Sequence, residues 1–307
     1  MASTSIIIPS HNAERTLGLQ LESIYLQEEA QPFEVIIVCN NCSDDTRSVA
    51  VSWSDRLDIK IIEADDFVGA SYARNVGVRM SQGEKLLFCD ADDVLSPHFV
   101  ANGQRALNEV EIFCGGFQAV ANSEFVSVAQ ALSHIKEWEY ETPSIENIDF
   151  SWPVLAGGSF GITRRLMVQL GGFDPAFEPG AEDNEFGFRA LQAGYPAGFL
   201  GAASIAYRMP QRQRRAAKLI TTRAKSTALL INEKQRWDNN PVTLGKNPLL
   251  MLIRTVLAGA SNLAMKHEIK EGWDERFYTH TGICWGWIEY RVLRQRVASK
   301  RGTGLFD

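Results

Sequence analysis

The chain has no uninterrupted apolar run of the roughly 18 to 20 residues that a bilayer-spanning helix needs. Ile6-Ile7-Ile8 is too short for the apolar core of a signal peptide and leads directly into Pro9. Neither a spanning helix nor a cleaved leader is expected, which points to a cytoplasmic chain. Cysteine is scarce: the five residues 39, 42, 89, 114 and 284 are odd in number and scattered, which suits reduced thiols. Cys39-Asn40-Asn41-Cys42 has CxxC spacing, but a closed zinc site wants a second pair and none occurs. Basic charge is short as well, with 31 Lys and Arg against 37 Asp and Glu, and a net charge of −6 argues against a general nucleic-acid binder.

What the chain does have is ordinary globular material, 45% hydrophobic and 22% charged over 307 residues, enough for one large α/β domain and an appendage. Strand and helix patterns alternate through the first hundred residues. Thr4 to Pro9 is a β-branched run, and Leu17, Leu21 and Ile24 follow at helical spacing. Phe33 to Cys39 repeats the strand pattern, after which Ser43 is expected to cap a helix whose first turn carries Asp44 and Asp45. Ile59 to Ile62, a helix over Tyr72 to Met80 and a strand over Lys85 to Cys89 complete the series. This rhythm implies a doubly wound, mainly parallel sheet.

The apolar stretch Lys85 to Cys89 ends abruptly in Asp90, Asp92 and Asp93. A buried strand that delivers acids at its carboxyl end places them where open α/β sheets bind ligands. Asp90 and Asp92 are two apart and share a face along an extended chain, so together they suit a hard divalent cation. Mg²⁺ fits such a pair, because it commonly takes one or two carboxylates plus substrate phosphates. A polar turn after a strand is the plainer use of the same residues.

The series Ile6 to Asn12, Ile37 to Thr46, Ala73-Arg74-Asn75-Val76-Gly77 and Phe88 to Asp93 resembles family 2 glycosyltransferases of the GT-A fold. The likeness continues through Gly171-Gly172-Phe173-Asp174 and Glu182-Asp183, over about residues 3 to 205. It implies a Rossmann-like GT-A domain over 1–205, with a nucleotide-binding half over 1–100 and an acceptor-binding half over 101–205, followed by a helical C-terminal region over 206–307. The resemblance puts Pro9, Ser10 and Asn12 near the base or ribose of a nucleotide-sugar donor, and Arg74 and Asn75 facing the nucleotide. Asp90 would contact the ribose or sugar side, and Asp92 would be the principal ligand of a Mn²⁺ or Mg²⁺ ion. Where the family commonly has a carboxylate that reads the base, this chain has Cys39-Asn40, and Asn40 still offers a donor and an acceptor.

Glu182 and Asp183 follow Pro179-Gly180 and open a helical pattern, where the helix dipole favours ionised acids. By resemblance Asp183 is the general base on the acceptor hydroxyl and Glu182 positions the acceptor, the arrangement of an inverting transferase in polysaccharide or glycoconjugate synthesis. The acceptor would be a saccharide or a lipid-linked glycan. Gly157-Gly158 precede the expected helix Arg164 to Leu170 and permit close backbone approach. Trp138, Tyr140 and Trp152 are candidates for an acceptor loop.

Two alternatives stand beside this reading. A nucleotidyltransferase would carry a glycine-rich, basic loop after strand one, whereas Ser10-His11-Asn12-Ala13-Glu14 is neither. A non-catalytic sugar-binding or scaffold subunit is supported by Cys39-Asn40 and by Tyr207-Arg208-Met209, where many relatives carry a histidine metal ligand.

No acid occurs from Phe186 to Asn232, and Arg208, Arg212, Arg214, Arg215, Lys218, Arg223 and Lys225 cluster there. Arg208 and Arg212 are candidates for contact with the donor diphosphate. Leu249 to Met265 and Ile283 to Leu293 read as helices. Their apolar faces are expected to pack back onto the catalytic domain or between two protomers, with peripheral contact at the inner face of a membrane as the other use.

Overall fold

Ile6, Ile7 and Ile8 are each fully buried, yet Ile6 and Ile8 pack on one side of the sheet and Ile7 on the other, as the two-residue period of a strand requires. The strand they form, β1 (Thr4–Ser10), is an interior one: both of its faces are covered, which is why it reads as a continuous apolar run. The protein's structure is a computed structural model that describes residues 3–133, 135, 145–146, 155–209, 216–266 and 272–306.

After β1 come α1 (Leu17–Tyr25), β2 (Phe33–Cys39), α2 (Thr46–Val51), β3 (Ile59–Glu63), α3 (Ala70–Met80) and β4 (Lys85–Cys89). Then follow β5 (Val94–Leu95), α4 (Phe99–Ala106), β6 (Ile112–Val120), α5 (Val128–Ser133), β7 (Ser159–Thr163), α6 (Arg164–Leu170), α7 (Glu182–Gln192) and β8 (Gly198–Arg208). Among the described residues the strands form one eight-stranded sheet in the order β3-β2-β1-β4-β7-β6-β8-β5. The β3-β2-β1-β4 half is parallel throughout. Beyond β4 the sheet is mixed, with β7 antiparallel to both β4 and β6.

One layer joins α1 and α4 to the sheet through Leu17, Leu21, Ile24 and Phe99. The opposite layer is aromatic. Phe88 stacks on Phe160 at 4.4 Å between ring centroids, and Phe173 stands edge-on to both at 6.0 Å.

The chain order turns outward at β1: β2 and β3 lie to one side and β4 to the other, so the switch point falls between β1 and β4. The β1–β4 pairing ends at Ile7 and Phe88. Pro9, which has no N–H to give, sits just past it, and a crevice at the carboxyl ends of these two strands is where a ligand fits.

The helix after β2 begins at Thr46 rather than at the expected Asp44. Ser43 does not cap it: its N–H donates to Asn12 Oδ1 at 2.8 Å, while the Asp44 carboxylate accepts the Thr46 N–H at 3.1 Å.

The chain divides into two compact units, Met1–Pro175 with Phe186–Gln211 and Lys300–Asp307, and Ala176–Glu185 with Arg212–Ser299. This differs from the contiguous boundary expected near 205. The last residues join the first unit because the Lys300 N–H donates to Asp174 Oδ1 at 2.9 Å and Leu305 is buried against the aromatic layer. In the second unit α8 (Ala216–Glu233), α9 (Pro248–Lys266) and α10 (Trp273–Gly286) pack together, and one π turn (Trp287–Val292) follows. Gly282 and Gly286, four apart, let α10 approach α8 closely: a Cβ on Gly282 would collide with the Thr221 carbonyl. Trp138, Tyr140, Trp152, Arg212, Arg214 and Arg215 lie outside the described residues.

Candidate active site

Four fully buried residues, Leu86 to Cys89, drive β4 into the sheet and leave Asp90 at its carboxyl end, half-buried beside α3. Arg74, on α3 and only 4% exposed, donates from Nη2 to Asp90 Oδ1 at 2.8 Å, and its guanidinium lies 5.6 Å from the Phe173 ring centre. Arg74 thus faces Asp90, the acid assigned to the donor. Gly157 and Gly158 wall this pair closely. A Cβ on Gly158 would sit 2.6 Å from Asp90 Oδ2, and one on Gly157 would sit 3.0 Å from Arg74 Nη2. The close approach expected of these glycines is made to side chains of the protein itself.

Asp92 is exposed, and Asp93 is only 1% exposed. Asp93 Oδ1 accepts the Arg208 N–H at 2.9 Å, while its Oδ2 is buried without a partner. Burial, Asp92 and Asp90 hold the Asp93 carboxyl well above the usual carboxylate range. Although Asp92 as a whole residue is exposed, packing of the turn around its carboxyl, and next the neighbouring Asp90, raise its pKa, with Arg208 opposing.

Arg208, at the end of β8, is the cation of this turn. Its Nε donates to the Asp92 carbonyl at 2.7 Å, Nη1 donates to Asn122 Oδ1 at 3.0 Å, and the guanidinium lies 3.9 Å over the Phe125 ring. Burial lowers its pKa, though Asp92 and Asp93 pull the other way.

A divalent ion fits this turn by the chemistry of its donors. Asp90, Asp92 and Asp93 repel one another, and Asp93 carries an oxygen with no donor, both of which a cation would relieve. Among the described residues no group of three or more His, Cys, Asp or Glu side chains converges on one ion position. Among the described residues, the donors that the resemblance assigns to an ion at this turn are the two carboxylates of Asp90 and Asp92.

The next loops are laced together along the same edge. Ser10 is buried, and its carbonyl accepts the Asn40 N–H at 2.8 Å. Pro9 is half-buried, and Asn12, at φ 50°, is exposed with Oδ1 bonded to Ser43. Asn40 is only 3% exposed. Its Nδ2 donates to the carbonyls of Ala64 and Phe67, and its Oδ1 accepts the Gly69 N–H at 2.8 Å. The amide expected to read a base is engaged in shaping the loop over 64–69.

Asn75 follows Arg74 on α3. It is fully buried, donates from Nδ2 to the carbonyls of Phe173 at 3.0 Å and Thr303 at 2.9 Å, and accepts the Phe173 N–H on Oδ1 at 2.8 Å. It clamps three chain segments.

Two further residues on this edge, His11 and Phe67, carry no site role in the sequence reading. His11 is exposed and bonded from Nδ1 to the Asn40 carbonyl at 2.8 Å; since a carbonyl only accepts, Nδ1 carries the proton and Nε2 accepts from Asn12 Nδ2 at 3.3 Å. Phe67 is 52% exposed on the loop that Asn40 shapes, edge-on to Tyr72. The available signal was an apolar pair, Phe67-Val68, in a stretch that otherwise reads as a turn.

In the second unit, Glu182 and Asp183 open α7, as their position before the helical pattern implies. Asp183 Oδ1 accepts the Asn184 N–H at 2.7 Å, and Glu182 Oε2 accepts the Gly180 N–H at 2.5 Å. Glu185, one turn on and 2% exposed, lies 3.7 Å from Lys234 Nζ.

All five cysteines are free, and burial first, with the Cys42 charge second, pushes the Cys39 thiol up to about 12. Such a thiol is a poor nucleophile and a poor metal ligand at neutral pH.

A family model described as glycosyltransferase like family 2 matches residues 2–240. The chain belongs to that family. An uncharacterized glycosyltransferase of Haemophilus influenzae is 30% identical over 195 residues, covering 61% of this chain and 62% of the relative. The Escherichia coli UDP-Glc:alpha-D-GlcNAc-diphosphoundecaprenol beta-1,3-glucosyltransferase WfgD is 29% identical over 128 residues, 40% of this chain and 48% of the relative. This family member thus spans less than two thirds of the length of either relative. Among solved structures, mannosyltransferase PcManGT of Pyrobaculum calidifontis, in complex with GDP-Man and Mn²⁺, aligns with TM-score 0.64 at 18% identity over 95% of this chain and 88% of its own. Staphylococcus aureus TarS 1–349 with UDP-GlcNAc aligns with TM-score 0.54 at 15% identity over 95% of this chain and 92% of its own. These last two establish the GT-A fold.

Proposed function

We propose that the chain transfers a sugar, with inversion, from a nucleotide-diphosphate sugar to a hydroxyl of a saccharide or lipid-linked acceptor. The observation that carries the reading is the acid turn Asp90–Asp93 at the β1–β4 switch point, held between Arg74 on Asp90 and Arg208 on Asp92 and Asp93. Family membership supports it, as do the nucleotide sugars named with PcManGT and TarS.

Asp92, with Asp90, would hold Mn²⁺ or Mg²⁺, which when bound stabilises the charge that grows on a departing diphosphate. Arg208 supplies fixed positive charge at the same turn. Three strand spacings of ~4.8 Å separate β4 from β3, about 14 Å, comparable to the reach of a nucleoside diphosphate laid from the acid turn toward Phe67. The base is then met by His11, Asn12 and the ring of Phe67, because the Asn40 amide is already engaged.

Asp183, at the start of α7, takes the proton of the acceptor hydroxyl. Base-assisted attack on the face opposite the leaving group gives inversion. Glu182, with one oxygen engaged by Gly180, orients the acceptor through the other.

A non-catalytic sugar-binding subunit is the second reading, favoured by the two-carboxylate donor set and by Asn40. Turnover of nucleotide sugars separates the two. Transfer or donor hydrolysis that disappears in Asp92→Ala and Asp183→Asn supports the enzyme, and equal turnover in both variants removes the site assignment.

A lipid-linked acceptor, such as the one in the name of WfgD, would bring the reaction to a membrane surface. Among the described residues no helix is long and apolar enough to cross one.

A further inference from the structure

Helix α9 packs within its own unit along one narrow line. Thr255 is 6% exposed, its Oγ1 is bonded to His280 Nδ1 at 2.7 Å, and its carbonyl accepts from Trp273 Nε1 at 2.8 Å. Gly259, one turn on, faces the Trp273 ring so closely that a Cβ would meet it at 2.5 Å.

The far side is apolar and open. At ~100° per residue, Leu263, Val256, Leu249, Ile253, Leu257 and Leu250 follow one another around an arc of about 140° that lies opposite Thr255. Each is between 44% and 62% exposed. Between Pro248 and Lys266 the other residues on that arc are alanines. The helix is about 28 Å long, so this is a continuous apolar stripe rather than a scatter of single side chains. The large apolar side chains of this face are thus exposed.

Charge decides what could cover it. The stretch 239–267 contains Lys246, Arg254 and Lys266 and no Asp or Glu. Two copies paired along the stripe, whether parallel or antiparallel, would find no acid on either helix. An anionic surface satisfies both features at once, since it accepts the aliphatic stripe and pairs with Arg254, which at ~100° per residue lies about 40° beyond the stripe's edge and is exposed.

We infer that α9 is an in-plane membrane anchor, which lays its Leu249–Leu263 stripe into the headgroup region of an anionic phospholipid bilayer. The inference deepens the transfer reading, since a lipid-linked acceptor needs the enzyme at that surface, but it rests on that reading only for its purpose.

The test is co-sedimentation of the full chain with vesicles of phosphatidylcholine containing 30% phosphatidylglycerol, against vesicles of phosphatidylcholine alone. Binding to the anionic vesicles is expected to weaken with added salt and to fall at least tenfold in Ile253→Asp and Leu257→Asp. Arg254→Glu, an exposed polar change that leaves the stripe intact, is expected to lower it several-fold. Absence of binding by the unaltered chain overturns the inference. So does undiminished binding by all three variants, or a dimer seen by light scattering that Ile253→Asp dissolves while vesicles stay unbound. Nucleotide binding measured on the same preparations reports separately on the donor site, so either idea can fail without the other.

Discussion

Arg74 Nη2 and Asp90 Oδ1 are 2.8 Å apart, joining helix α3 to the acid turn after β4 by a charge-assisted bond from an almost fully buried guanidinium. Arg74→Gln removes the charge and is expected to lower stability by about 2 kcal/mol, the range for hydrogen bonds to charged groups. Gly158→Ala attacks the same pair from the other side, because its new methyl would meet Asp90 Oδ2 at 2.6 Å. It is expected to weaken metal-dependent nucleotide binding at least tenfold, while the urea midpoint moves less than in Arg74→Gln. Calorimetric titration with a nucleoside diphosphate and Mn²⁺, beside urea unfolding, checks both.

Donor binding is expected to depend on two residues at opposite ends of the edge. Arg208→Ala deletes the guanidinium held at the Asp92 carbonyl and over Phe125, and should cost about tenfold or more in affinity for the diphosphate. Phe67→Ala removes an exposed ring and should cost roughly fivefold or more, the lower range for base stacking on an aromatic. Inorganic pyrophosphate with Mn²⁺ should feel the first change and not the second. Unchanged nucleotide affinity in both variants would remove these residues from the donor site.

Asn75 predicts the opposite pattern. Its amide satisfies the Phe173 carbonyl, the Phe173 N–H and the Thr303 carbonyl in a fully buried setting. Asn75→Ala leaves these groups unpaired and is expected to destabilise by about 3 kcal/mol. Nucleotide affinity of the folded fraction should stay within about twofold. Calorimetry at a temperature where the variant remains folded separates a clamp from a ligand contact.

Asn75 also marks where the sequence stopped being legible. The strands over Thr4 to Cys89 announced themselves by β-branched apolar runs, and the position of Asp90 and Asp92 followed from the strand they terminate. α6 and the acidic start of α7 were legible from helical spacing. The roles of Asn40 and Asn75 were not, because an amide declares itself only through its partners, and those of Asn75 lie 98 and 228 residues away. Ser43 was mistaken for a cap because the competing acceptor, Asn12, comes from another loop. β8, rich in Gly, Ala and Ser, lacks the β-branched signature of β1, and its pairing with β6 rests on tertiary context. Nor does any local pattern tell that Leu305 returns to the core of the first unit.

The α9–α10 contact should be sensitive to acid. Burial first, then the charge of Arg276, holds the His280 imidazole below its ordinary 6.5, against a smaller opposing effect of a hydrogen bond with the Met251 backbone. The unfolded chain therefore takes up this proton at a higher pH than the folded one. Between 6.5 and the lower folded value it binds more protons, so stability present above 6.5 declines as pH falls through that window. His280→Gln keeps a polar partner for Thr255 and should flatten the slope. Urea unfolding followed by tryptophan fluorescence from pH 8 to pH 5 reads the difference, and an identical slope in the variant would assign the acid sensitivity elsewhere.

The central claim, a donor site at the β1–β4 switch that drives sugar transfer, is tested most directly by calorimetric titration of the full chain with nucleotide sugars, with and without Mn²⁺. The account predicts binding that needs the metal, favours one base, and is lost in Asp92→Ala while Asp183→Asn still binds but no longer turns over. Binding retained by Asp92→Ala, or no binding by the unaltered chain of any nucleotide sugar at millimolar concentration with metal present, would contradict it.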